Sequence, residues 1–298
     1  MIASGVIRRG EETVGGDADA LCEIGSITKA FTGTLLAEMA ERGEVRLEDP
    51  LAAHLELPAW HGAVPTLLEL ATHASGLPNT PRGFAARELA FLLGLPGSRD
   101  PWVDTREEEF WIALSRTRRR RRRFRYSSVG FELLGRALAA RARTPWDALV
   151  RERVCTPLGM NDTGVHVSAH ARARLQRGHS FRGAPRPPLT DHLQAAGGLR
   201  SSVREMLRFL RACVEPSDDA LGRALARAQR PHSRVSRRLS VGLGWLVLGD
   251  ETVWHNGGTW GFRAFAGLVP ARGRAAVVLS DRARSVDRRG FRLLKEGH

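Results

Sequence analysis

Residues 26–43 read Ser26-Ile27-Thr28-Lys29-Ala30-Phe31-Thr32-Gly33-Thr34-Leu35-Leu36-Ala37-Glu38-Met39-Ala40-Glu41-Arg42-Gly43. Ile27, Phe31, Leu35 and Met39 recur every four residues, which is the apolar stripe of a helix. Ser26 suits the N-cap of that helix and Gly43 its C-terminal stop. Ser26 and Lys29 then lie on one face, and the amine can reach the hydroxyl. A serine hydroxyl becomes a nucleophile when a neighbouring base takes its proton. Lysine is such a base when burial and nearby positive charge lower its pKa. At a helix start the Ser26 backbone N–H points outward, where it can meet a developing oxyanion. Only Lys29 and Lys295 are lysines; the other 44 of the 46 basic residues are arginine.

Upstream, Ile2 to Arg8 and Glu11 to Val14 read as a hairpin turning at Arg9-Gly10. Downstream, the stretches near 66–72, 107–114, 129–143 and 202–213 carry helical periodicity. The chain then changes character. Val241 to Leu248, Thr252 to His255, Phe262 to Val269 and Ala275 to Leu279 are short strand-like runs separated by turn residues. Val286 to Leu294 reads as a closing amphipathic helix. Strands at both ends with helices between them predict an α+β fold in a single domain. Its antiparallel sheet draws on about 1–45 and 215–298, and its helical lobe on about 46–214. A cleft between two such lobes is a usual place for a site.

Two further motifs complete a constellation. Tyr126-Ser127-Ser128 holds the only tyrosine of the chain. A phenol near two positively charged groups can ionise and shuttle a proton between nucleophile and leaving group. Trp254-His255-Asn256-Gly257-Gly258 ends a strand. Its glycines allow close backbone approach, a backbone N–H there can complete an oxyanion hole, and His255 adds a donor or a positive charge.

The net charge of +14 in 298 residues invites a nucleic-acid reading. Six of the arginines form the run Arg118–Arg123, and a solvated loop in an arginine-rich chain accounts for them, so no nucleic-acid partner is expected. Hydrophobic content of 42% and charged content of 26% are ordinary globular values. No apolar run approaches the length of a membrane span, so no membrane association is expected; no export signal is visible at the N-terminus, so the cytoplasm is the expected compartment, with export the alternative if the true start lies upstream. Cys22, Cys155 and Cys213 fit neither a disulfide framework nor a zinc pattern. His54 with His61, and His166 with His170, find no third ligand, so no metal and no cofactor are expected.

Together the three motifs resemble the signature of the penicillin-recognising serine hydrolases: Tyr-dependent β-lactamases, D,D-peptidases and related esterases. The resemblance extends to Glu23-Ile-Gly-Ser-Ile-Thr-Lys, Leu70-Ala-Thr-His-Ala-Ser-Gly-Leu-Pro, Cys155-Thr-Pro-Leu-Gly-Met-Asn-Asp-Thr and Ala195-Ala-Gly-Gly-Leu-Arg-Ser-Ser, in order, along nearly the whole chain. It implies a β-lactamase/transpeptidase-like fold and a small-molecule or peptide substrate, with Ser26 acylated and then hydrolysed. It further implies Lys29 as base, Tyr126 as acid/base, and the N–H groups of Ser26 and Gly258 as oxyanion donors, with Ser128, His255 and Gly257 also against the substrate. Two positions depart from the pattern. Ser128 stands where the family usually has Asn, and its shorter hydroxyl reaches less of the substrate. His255 replaces the Lys of true β-lactamases, which leans the expectation toward esterase or peptidase activity. The alternative is a catalytically weak member of the fold that binds without turnover.

Overall fold

The structure, a computed structural model, describes residues 1–295 apart from 58, 59, 61, 82, 94, 96–99, 104, 117–123, 191 and 250. The arginine run 118–123 therefore lies outside the described residues. Ten strands are seen among them: β1 Ile2–Arg8, β2 Glu11–Gly15, β3 Cys22–Glu23, β4 Arg200–Ser201, β5 Ser233–Arg234, β6 Leu239–Val241, β7 Leu246–Leu248, β8 Val253–Gly258, β9 Arg263–Val269 and β10 Arg274–Ser280. The helices are α1 Thr28–Glu41, α2 Leu67–Ala71, α3 Phe84–Leu93, α4 Glu107–Ser115, α5 Ser128–Ala142, α6 Trp146–Val150, α7 Gln194–Gly197, α8 Val203–Val214, α9 Ala220–Gln229 and α10 Asp287–Lys295.

Eight strands form one antiparallel sheet in the order β2-β1-β10-β9-β8-β7-β6-β5. Ile2 pairs with Ser280 and Arg8 with Arg274, so the N-terminal hairpin is stitched onto the C-terminal strands as expected. Its turn places both Arg9 (φ 49°) and Gly10 (φ 85°) in the left-handed region, the conformation whose twist matches a tight hairpin. Helix α8 packs on β1, β9 and β10, and α10 packs on β9 and β10. A separate cluster of Val6, Phe265, Ala276, Val278, Val286 and Leu294 lies at the α10 side. Covered on both faces, β1, β9 and β10 are buried along nearly their whole length rather than at alternate residues.

Helix α1 runs through the centre of the molecule. The expected one-sided stripe understates it: Thr28, Lys29, Thr32, Thr34 and Glu38 are buried along with the apolar residues. Two of the threonines are bonded there: Thr32 Oγ1 donates to Ala195 O at 2.6 Å and Thr28 Oγ1 accepts from Leu199 N at 3.1 Å, while Thr34 Oγ1 is buried with no hydrogen-bond partner among the described residues. Phe31 stacks on Phe209 of α8 with centroids 4.1 Å apart, and truncating such a ring costs ~3–5 kcal/mol. The helix stops at Gly43 (φ 71°), whose N–H donates to Ala40 O.

Two expectations are corrected. Residues 241–248 are not one strand: β6 and β7 flank a turn at 242–245, closed by Gly242 N donating to Trp245 O at 2.9 Å. That turn is wedged against α1 and α9. A Cβ on Gly33 would stand 2.0 Å from Leu243 O, and Leu243 N donates to Ala228 O at 2.8 Å, so tertiary contact outweighs strand propensity. Helices α3, α6, α7 and α9 were not foreseen either; α9 starts on an Asp219 cap whose carboxylate accepts from Gly222 N at 2.7 Å. Among the described residues, no helix is long and apolar enough to cross a membrane.

Candidate active site

Ser26 does not cap a helix. It sits in the short 3₁₀ turn Gly25–Ile27 that leads into α1, and α1 begins without a side-chain cap. Gly25 adopts φ 52°, a left-handed conformation that lifts Ser26 out of the helix path. The hydroxyl is thereby turned to the cavity and to Lys29, whose Nζ lies 3.1 Å from Ser26 Oγ. Lys29 is fully buried, and Nζ also donates to Ala196 O at 2.6 Å. It lies 5.0 Å from the centre of the Tyr126 ring and 5.7 Å from that of Phe131. Burial brings its pKa down from 10.5 to about 7, which leaves a large neutral fraction at neutral pH.

Tyr126 lines the same cavity, beside Ser26. Burial pushes the phenol up to about 12. It is therefore a protonated hydroxyl at rest, not the standing phenolate that two positive neighbours would favour, because the two imidazoles beside it are neutral. One is His73, buried, with its pKa driven well down by burial and by Lys29. The other is His255, brought to about 3 by the same two causes.

His73 is a residue that the motif reading missed as a functional position. It adopts φ 57°, and its carbonyl accepts from Arg125 N at 2.8 Å while its Nδ1 accepts from Ser127 N at 3.1 Å. Its ring lies 4.4 Å from that of Tyr126. It thus clamps the chain on both sides of Tyr126. The signal was present in the turn-rich run Thr72-His73-Ala74-Ser75-Gly76, which resembled the family without naming a role.

Ser127 caps α5, its Oγ accepting from Gly130 N at 2.8 Å, and Ser128 Oγ is committed to Asn79 Oδ1. Ser128 does line the cavity, but among the described residues Lys29 is held by the Ala196 carbonyl rather than by the residue at 128.

The third motif closes the site from the sheet. Strand β8 lies against the Gly25–Ile27 turn so closely that a Cβ on Gly257 would stand 1.9 Å from Ile24 O, and one on Gly25 would stand 2.7 Å from Gly258 N. Ser26 N and Gly258 N are thus brought to the same contact, where two N–H donors can serve one oxyanion. His255 does not line the cavity. Strand alternation puts it on the same face of β8 as Gly257, buried at 1% exposure beneath the site, with its ring 6.1 Å from that of Tyr126 and Nδ1 2.5 Å from Asn256 O. With its pKa at about 3 it is not the expected positive charge, and Asn256, on the other face of β8, donates Nδ2 to Asp287 of α10 at 3.0 Å.

Ser26, Tyr126, Ser128, Gly257 and Gly258 line one cavity of about 490 Å³, together with Glu88, Trp102, His192, Trp260 and Arg263. A larger hollow of about 650 Å³ lies against Cys213 and Val247 and holds none of these groups. Arg263 covers Gly258: a Cβ there would meet the guanidinium at 3.3–3.4 Å. The buried carboxylate of Glu23 accepts from Leu189 N at 2.7 Å and so holds another stretch of the cavity wall.

A family model described as Beta-lactamase matches residues 2–296. Among curated proteins, the chain is 29% identical over 294 residues to the D-alanyl-D-alanine-carboxypeptidase/endopeptidase AmpH of Escherichia coli K12, covering 89% of this chain and 72% of that protein. It is 24% identical to a beta-lactamase of Pseudomonas fluorescens, covering 88% and 79%. Among solved structures, a class C beta lactamase from Rhodobacter sphaeroides shares the fold with a TM-score of 0.83 at 21% identity, covering 98% of this chain and 93% of that one. A beta-lactamase/D-alanine carboxypeptidase from Pseudomonas syringae does so with a TM-score of 0.83 at 19% identity, covering 100% and 94%.

Proposed function

Since this chain belongs to the beta-lactamase family and is a serine hydrolase, we propose that it cleaves amide bonds beside a free carboxylate, as a D,D-carboxypeptidase or β-lactam hydrolase, through an acyl-enzyme at Ser26. The observation that carries this reading is the 3.1 Å approach of Ser26 Oγ to a buried amine whose pKa is about 7. Neutral Lys29 takes the Ser26 proton as Oγ bonds to the carbonyl carbon, and the carbonyl electron pair moves onto oxygen between the N–H groups of Ser26 and Gly258. The carbonyl then re-forms, the scissile C–N bond breaks, and Tyr126 gives its proton to the leaving nitrogen while recovering one from Lys29. Water enters by the same path and releases the acid.

Arg263 supports the carboxylate. Its guanidinium lines the cavity beside Gly258, and among the described residues it has no ion-pair partner. Incubation with benzylpenicillin and with a fluorophosphonate, followed by peptide mass spectrometry, tests the reading. A single adduct on the Ser26 peptide, lost in Ser26→Ala, is expected; labelling at Ser75 or Ser180, or at no serine, overturns it.

A further inference from the structure

We propose that the cavity holding Ser26 has a cation-binding wall built from Glu88, Trp102 and Trp260, which selects substrates carrying an ammonium group. The inference rests on the acyl-enzyme reading and adds the charge of the substrate to it. Glu88, on α3, lines the same cavity as Ser26, and its Oε1 accepts from Trp102 Nε1 at 3.1 Å, which fixes the carboxylate in place. Among the described residues no cation lies within ion-pair distance of it. Several other carboxylates in this arginine-rich chain are paired, among them Asp19 with Arg204, Glu44 with Arg153, Glu107 with Arg136 and Asp162 with Arg174. A half-buried carboxylate facing a cavity without a cation gains from one brought by a ligand.

The two indoles give that cation a second reason to bind. Trp260 Nε1 donates to Asp100 Oδ2 at 2.7 Å and Trp102 N to Asp100 Oδ1 at 3.0 Å, so one buried aspartate ties both residues. Both rings also pack on α3, Trp102 against Phe84 at 4.6 Å and Trp260 against Phe91 at 4.8 Å. Indole faces held beside a carboxylate attract an ammonium more than a neutral group of the same size. With Arg263 over Gly258, the cavity presents both signs of charge, and no ion pair joins Glu88 to Arg263. A peptide with a carboxylate near the scissile bond and an ammonium elsewhere is complementary to it.

Three peptides separate the sources of the ammonium: Nα,Nε-diacetyl-Lys-D-Ala-D-Ala, its Nα-acetyl form with a free side-chain amine, and its Nε-acetyl form with a free terminal amine. Their binding to Ser26→Ala is measured by calorimetry at pH 7.5, with and without Glu88→Gln, which keeps an acceptor for Trp102. At least one cationic peptide should bind tenfold or more tightly than the diacetyl peptide, and Glu88→Gln should bring that ratio to within about threefold of unity. A ratio near 1 without the Glu88 change, a ratio that survives it, or no binding by any peptide overturns the inference. Failure of the acyl-enzyme reading is seen separately, as the absence of the Ser26 adduct in the otherwise unaltered protein.

Discussion

Ser128 Oγ donates to Asn79 Oδ1 at 2.8 Å, and Ser128 N donates to the same oxygen at 3.2 Å. Asn79 O in turn accepts from Val129 N at 3.2 Å. The loop after α2 and the start of α5 are therefore one hydrogen-bonded unit, and a residue at the cavity edge is positioned by a side chain 49 positions away.

Asn79→Ala and Ser128→Ala should accordingly be non-additive. Each should lower kcat/KM for a chromogenic cephalosporin by roughly three- to tenfold, from the loss of about 1 kcal/mol of hydrogen bonding. The double variant should be little worse than either single one. Multiplying effects would mean that the two residues act separately.

Activity should rise with pH through about 7. Lys29 must be neutral to take the Ser26 proton, and its neutral fraction grows as pH passes its pKa of about 7. A kcat/KM profile on one cephalosporin should show this limb and then a plateau. Lys29→Arg should be nearly inactive at every pH, because arginine keeps its proton. Activity within tenfold of the unaltered protein would make Lys29 an electrostatic or structural residue.

The same shift has a consequence for stability, in the same direction as for catalysis. Between about 7 and 10.5 the unfolded chain holds the Lys29 proton and the folded chain does not. Stability from this group therefore rises with pH across that window, by at most ~1.4 kcal/mol per pH unit. The stability of the unaltered protein relative to Lys29→Met should grow by roughly 2–3 kcal/mol from pH 7.5 to 9.5 in urea titrations. Taking the difference cancels the opposing titration of the buried cysteines, whose thiols burial raises. A difference that is flat or falls with pH would contradict a depressed Lys29 pKa.

Adjacent glycines should respond differently to alanine. At Gly257 a Cβ would stand 1.9 Å from the Ile24 backbone oxygen, which can yield only by separating β8 from the Ser26 turn. At Gly258 the nearest atoms belong to the flexible Arg263 side chain, at 3.3–3.4 Å. Gly257→Ala should lose a hundredfold or more in acylation rate at Ser26 and melt several degrees lower, whereas Gly258→Ala should melt within about 2 °C of the unaltered protein. Equal effects on melting would mean that the close approach of β8 is not what holds the turn.

Much of the fold was legible because its signals are local. The β1–β2 hairpin needs only two short strand-like runs and the Arg9-Gly10 turn between them, and α1 needs only its four-residue spacing and Gly43. The division of 241–248 into β6 and β7 was not legible, since Gly242 and Gly244 are there to admit Ala228 O and Lys29 O from other elements. Helix α9 escaped notice because its hydrophobic side is largely alanine, buried only once α1 lies against it.

By itself, the sequence determined which groups are available: Ser26 and Lys29 three residues apart, one tyrosine, and a strand ending in two glycines. Spacing within a helix or a strand is set by backbone geometry, so it can be read without the rest of the molecule. Only the tertiary structure decided what those groups are chemically. Burial among α1, α5 and α7 makes Lys29 a base near neutral pH, and burial beside Tyr126 and Lys29 leaves His255 neutral. The same packing gives His73 and Asn79, each far from its partner in the chain, the positions of Tyr126 and Ser128 to hold. Protonation and orientation depend on the dielectric and on the partners that surround a side chain, and those come from segments that meet only when the chain is folded.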